Sequence, residues 1–121
     1  MATAQFVHDG QSIDYTPGSD VAAGDVVVQG ALVGVAKLPI ASGALGALAV
    51  RGVFDVVQAA VAFTAGDAVY WDADGDPVGG DAGTGAATST ATSNTFMGFA
   101  LADTADTDET VSYTHLTLPT N

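Results

Sequence analysis

A chain of 121 residues with 14 acidic side chains against two basic ones has a formal net charge of −12, and only 13% of its residues are charged while 48% are hydrophobic. Its length allows one domain with one modest core, burying roughly 65% of the extended surface on folding. The charge repels a phosphate backbone and so disfavours direct nucleic-acid binding, and the lack of cysteine excludes disulfides, a thiol nucleophile and thiolate zinc.

With so few charges the surface has to be largely Ala, Gly, Ser and Thr, a composition suited to packing against neighbours and to gaining stability by oligomerisation. "MATAQFVHDG" lacks a basic segment followed by an apolar run, so no secretory leader is expected and synthesis is expected in the cytoplasm. No apolar stretch of 18 residues is present, which argues against a helical membrane span.

In chain order, β-branched residues, glycine-marked turns and short alternating runs recur without a helical stripe, which predicts an all-β fold, a small barrel-like or sandwich subunit. "AQFVH" and "SIDYT" read as a first hairpin across Asp-Gly; "DVVVQ" and "ALVGVA" as a second, broken at Gly30; "LPIA" follows. In "GALAVRGVFDVV", residues 46–57, Leu48, Val50, Phe54 and Val56 share one face with Gly52, and Arg51 and Asp55 fall on the other. Gly52 inside that run marks a bulge or a bend. "QAAVAF" is either a helical turn or an irregular link.

"VAAGDVVV" and "FTAGDAVY" share Ala-Gly-Asp before a strand. Eight residues twice over are too short for a true repeat; the physical reading is a turn in which Gly24 and Gly66 take positive φ and Asp25 and Asp67 bond nearby backbone. Residues 79–95, "GGDAGTGAATSTATSNT", offer almost nothing to bury and are expected to form a mobile Gly/Ala/Ser/Thr loop. "TFMGFAL" resumes strand character, "ADTADTDE" is an acidic turn, and "TVS" starts a last strand. The closing "SYTHLTLPTN" lacks Asp and Gly and resembles a translated sequencing adaptor, so the native domain is expected over 1–111, with 112–121 a non-native tail.

The candidate chemistry centres on "DADGDPVGG", where Asp72, Asp74 and Asp76 fall at positions 1, 3 and 5 of a calcium loop. Pro77 stands where such a loop needs glycine and Gly83 where it needs glutamate, and flanking helices are missing; the competing reading joins strands "VYWD" and "PVGG" by a turn at Asp74-Gly75. His8, alternating with Phe6, and His115 have no evident partner for catalysis. No serine sits in a nucleophile elbow and no phosphate loop is present. Acids concentrated in turns are more often solvated than paired for glycoside cleavage. Tyr70 and Trp71 point to opposite faces, so one anchors the core and the other an interface.

The succession "GVAKLPIASGALGALAVRGVFDV", then "FTAGDAVYWDADGDPV", then a Ser/Thr-rich loop and "TFMGFAL" resembles the phage family DUF2190, the capsid cement or decoration proteins, over roughly residues 3–111. The residues that carry it are Gly43, Gly46, "AVRGVF", "AGDAVYWD" and Gly98. The resemblance implies a barrel-like subunit on the outside of the virion head, in homotrimers over the major capsid protein lattice, that stabilises the shell, with no catalysis, cofactor, membrane, nucleic acid or small-molecule substrate. The recombinase label that some members carry is at odds with this sequence, which lacks the phosphate loop and positive charge that work needs. A strongly negative protein also belongs outside a DNA-filled head rather than lining it. Phe6, His8, Tyr15 and Trp71 are the expected interface residues, with segment 2–16 reaching a neighbour as an exposed edge strand does. The alternative is a calcium-dependent β-module that binds a glycan or cell surface through the aspartates near Trp71.

Overall fold

The computed structural model describes residues 3–5 and 11–115, which form nine strands and, among the described residues, no helix. The strands are β1 (Ser12–Tyr15), β2 (Val26–Gln29), β3 (Leu32–Val35), β4 (Gly46–Ala49), β5 (Gly52–Val57), β6 (Ala68–Asp72), β7 (Ala86–Thr88), β8 (Thr95–Ala100) and β9 (Thr110–His115). They make two antiparallel sheets, one of four strands ordered β1-β4-β3-β2 and one of five ordered β5-β9-β8-β6-β7. The all-β expectation holds. Of its two forms the sandwich-like one fits, because the sheets do not close into a barrel; among the described residues a single parallel bridge, Gln58 to Ala87, joins the backbones at the two ends of the larger sheet.

The main core lies where β3 crosses the larger sheet and is built from Val33, Phe63, Val69, Trp71, Met97 and Tyr113 with smaller neighbours. A second cluster, Ala36, Ile40 and Leu48, gathers Ile13, Tyr15, Val21 and Val27 around it. Valines on β2 serve both, Val26 packing on the first cluster and Val27 on the second, as alternation along a strand requires.

Each sheet contains the same corner. At Ala22–Asp25 the Asp25 carboxylate accepts from the Ala22 N–H (2.9 Å), and at Thr64–Asp67 the Asp67 carboxylate accepts from the Thr64 N–H (2.8 Å). Gly24 and Gly66 take φ of 90° and 94°, as the turn reading requires. The likeness goes further than eight residues: Gly24 N–H donates to Ala36 and Gly66 N–H to Ala100, while Ala36 and Ala100 donate back to Asp25 and Asp67. The alanines close "VGVA" and "MGFA", so each corner is locked to the end of an equivalent strand. Ala105–Asp108 repeats the carboxylate cap without the glycine.

Several expectations need correction. Residues 46–57 are two strands in different sheets: the chain bends at Val50-Arg51, and Gly52, with φ of 130°, begins β5. The inward face was read correctly, since Leu48, Val50 and Val56 are buried and Arg51 and Asp55 exposed. The 79–95 segment is not a free loop: Ala86–Thr88 pair with β6 and are buried, because alanine is small enough to fit where β7 meets the core. "PVGG" is a turn, and β6 finds its partner only after thirteen intervening residues, in β7. "SIDY" pairs with β4; of the expected partner "AQFVH", Ala4 and Gln5 are not in a strand and residues 6–8 lie outside the described residues. "QAAVAF" is an irregular link pinned by Gln58, whose Nε2 donates to Val61 and Ala105 carbonyls at 2.8 and 3.0 Å. Strand β9 runs from Thr110 to His115 between β5 and β8, so it spans the position where the sequence suggested a boundary.

Candidate interaction surface

Among the described residues, the one close pairing of titratable side chains lies in the interior. His115 Nε2 meets the Val33 carbonyl at 2.7 Å and Nδ1 meets the Tyr113 hydroxyl at 2.8 Å. A carbonyl only accepts, so Nε2 carries the proton and the hydroxyl donates to Nδ1. Burial lowers the imidazole pKa, the bond to Val33 opposing it, and burial pushes the Tyr113 phenol far above its ordinary value. Both groups are neutral at pH 7, shielded from solvent, and act as a strut between the sheets.

The aspartates of the proposed metal loop are spent on the turn itself. Asp72 Oδ1 accepts from the Asp74 N–H at 3.1 Å, Asp76 Oδ1 accepts from the Gly83 N–H at 2.8 Å, and Asp74 points to solvent. Their bonds run to different segments, and no three metal-ligating side chains converge among the described residues.

The split between Tyr70 and Trp71 resolves by strand parity. Trp71 is in the core, 8% exposed, and Tyr70 is on the opposite face of the strand. Tyr15 is half-buried against the Ile40 cluster, while Phe6 and His8 lie outside the described residues.

On the outward side of the larger sheet Tyr70, Phe96 and Phe99 form a chain of edge-on rings, with centroids 5.8 and 5.4 Å apart. Phe96 and Phe99 differ in parity, and a regular strand would put one of them inside. A bulge reconciles them: Val69 pairs with Gly98 but Tyr70 with Phe96, so Met97 is the extra residue and turns into the core. Glycine inside "TFMGFA" was the signal for this, and alternation alone missed it. Beside Phe96 a groove of about 610 Å³ runs to the Gly30-Ala31 turn and Leu32. Across the sheet Phe99 pairs with Thr114, and Thr114 with the exposed Val53 of β5, so the row carries no charge.

With this geometry in hand, comparison with known families is decisive: the model of the family described as phage cement protein matches residues 7–115. The chain belongs to the phage cement protein family. No curated protein and no solved structure matches it. The match takes in all nine strands and bears out the capsid-cement resemblance drawn from "AVRGVF" and "AGDAVYWD". A cement protein is a structural component associated with the phage capsid.

Proposed function

We propose that this cement protein is a non-enzymatic decoration subunit that binds the outer surface of the major capsid protein lattice and stabilises the head. The observation that carries this is the uncharged outward row of Tyr70, Phe96, Phe99 and Val53 on a molecule whose net charge is −12. Aromatic rings on an otherwise small-residue surface are typical anchors of a protein interface, and the surplus carboxylates favour the side of the shell away from packaged DNA. The subunit is made in the host cytoplasm and acts as a homotrimer, whose three copies gain avidity on a repeating lattice. It needs no cofactor, nucleic acid, membrane or small-molecule substrate. Segment 2–16, with Phe6, His8 and Tyr15, reaches a neighbouring subunit.

The test is co-sedimentation of the purified protein with empty heads, alongside its mass in solution by analytical ultracentrifugation. Wild-type protein saturates the heads, and Phe99→Asp, which places a charge in the row, reduces occupancy at least tenfold while its circular dichroism is unchanged. Equal binding of the variant removes the row from the interface, and heads that take up no wild-type protein overturn the reading. Deleting residues 2–10 tests the N-terminal contact separately: the truncated chain is expected to lose trimers, and intact trimers dispose of that assignment.

A further inference from the structure

β2 and β5 are edge strands of different sheets, and between them lies a cleft of about 830 Å³. Consecutive residues line it on both sides, Val26 to Val28 and Phe54 to Val57. A groove over a sheet face would be lined by alternate residues, so this cleft is bounded by the strand edges themselves.

The direction of the free backbone groups follows from the ladders. Ala36 N–H donates to the Asp25 carbonyl, which makes Asp25, Val27 and Gln29 the members of β2 bonded to β3; Val26 and Val28 then point their N–H and C=O groups the other way. Gln58 N–H donates to Glu109, so Val56 and Phe54 bond to β9 while Val57 and Asp55 turn theirs outward. Facing edges that expose backbone donors and acceptors beside valines are what natural sheets normally blunt with lysine, proline or a covering loop. Here Val28 and Val57 are exposed and neither strand itself carries a lysine or a proline, while Pro77, Gly80, Thr84 and Gly85 of the turn after β6 line the same cleft.

We infer that this seam is a strand-acceptor site that takes an extended, basic segment of the shell protein, four to six residues pairing with both β2 and β5. The occupant's chemistry follows from the rim. Asp20, Asp25 and Asp55 line the cleft and no lysine or arginine does, so a segment alternating small apolar residues with Lys or Arg is complementary in both backbone and charge. A second copy of this chain, with two basic residues in all, cannot supply that charge. The inference rests on the capsid reading above and gives it a chemical partner.

The test uses full-length protein and empty heads. Val28→Pro removes an outward N–H without touching the β2–β3 ladder, and Asp55→Lys reverses an exposed rim charge; each is expected to weaken head binding at least tenfold, with unchanged circular dichroism. A photo-crosslinking residue at position 28 is expected to join a shell-protein peptide that contains at least two basic residues. Because Val28→Pro can strain β2, Asp55→Lys and the crosslink decide independently. Wild-type binding that both variants retain, or crosslinks only to this chain's own residues 1–10, overturns the inference and leaves the capsid reading standing; heads that bind no wild-type protein overturn both.

Discussion

Gly85 lies against the six-membered ring of Trp71: a Cβ on the glycine would stand 2.5 Å from Cζ2, and the backbone there has φ of 111°. The indole is thus seated by the backbone just before β7, which is how an alanine-rich stretch comes to close one end of the core. Gly85→Ala combines a steric clash with positive-φ strain and is expected to cost about 2–4 kcal/mol, read as a lowered urea midpoint. Adding Trp71→Phe opens space for the methyl, so the double variant is expected to lose less than the sum of its parts. Strict additivity would show that the contact does not matter.

Gln58 donates to the carbonyls of Val61 and Ala105 from a fully buried position, and its Oε1 has no partner. Gln58→Glu would aim a carboxylate at those acceptors in a dry site, a loss of about 3 kcal/mol or more at pH 7. The folded pKa of that glutamate would be raised above the unfolded value. Its stability relative to wild type is therefore greatest below about pH 4 and declines as pH rises through the folded pKa. Parallel denaturation curves from pH 4 to 7 check this, and a pH-independent difference contradicts it.

The buried imidazole gives an opposite sign. The folded pKa of His115 is lowered by burial, so protonation favours the unfolded chain: its contribution is intact above about pH 6.5 and shrinks as pH falls below that value. Relief of repulsion among the 14 acids works against this trend, so the measurement is the difference between wild type and His115→Gln. That difference is expected to narrow between pH 7 and 5. A constant gap would mean that the imidazole has the same pKa folded and unfolded, so that burial does not perturb it.

Ending the chain at Val111 would remove Ser112 to His115 from between β5 and β8 and take Tyr113 out of the core. The shortened protein is expected to lose its cooperative thermal transition and to expose apolar surface to a hydrophobic dye. A sharp transition near that of the full chain would show that the first 111 residues suffice.

What could be read from the sequence was local. The turns at Gly24 and Gly66, the β2–β3 hairpin and the inward face of Leu48, Val50 and Val56 follow from φ preference and alternation, which depend on near neighbours. Pairings set by distant chain were not legible: β1 joins β4, and β6 passes over thirteen residues of turn to reach β7. The low complexity of residues 79–95 predicts almost nothing to bury, yet Ala86 and Ala87 are fully buried because the space left beside Trp71 fits only small side chains. The candidate surface suffered similarly, since the bulge at Gly98 brings Phe96 and Phe99 to one side against their parity. Trp71 was assigned to an interface that the core claimed instead.

The twin corners have a temporal consequence. About a dozen residues of chain separate Gly24 from Ala36, whereas Gly66 and Ala100 are roughly three times as far apart, and closing the longer loop costs about 1 kcal/mol more in chain entropy. The β2–β3 corner should therefore close early, and the corner at Gly66 form as the slower event. Newly made subunits would then pass through a state in which the β2 edge is already formed while the aromatic face is still incomplete.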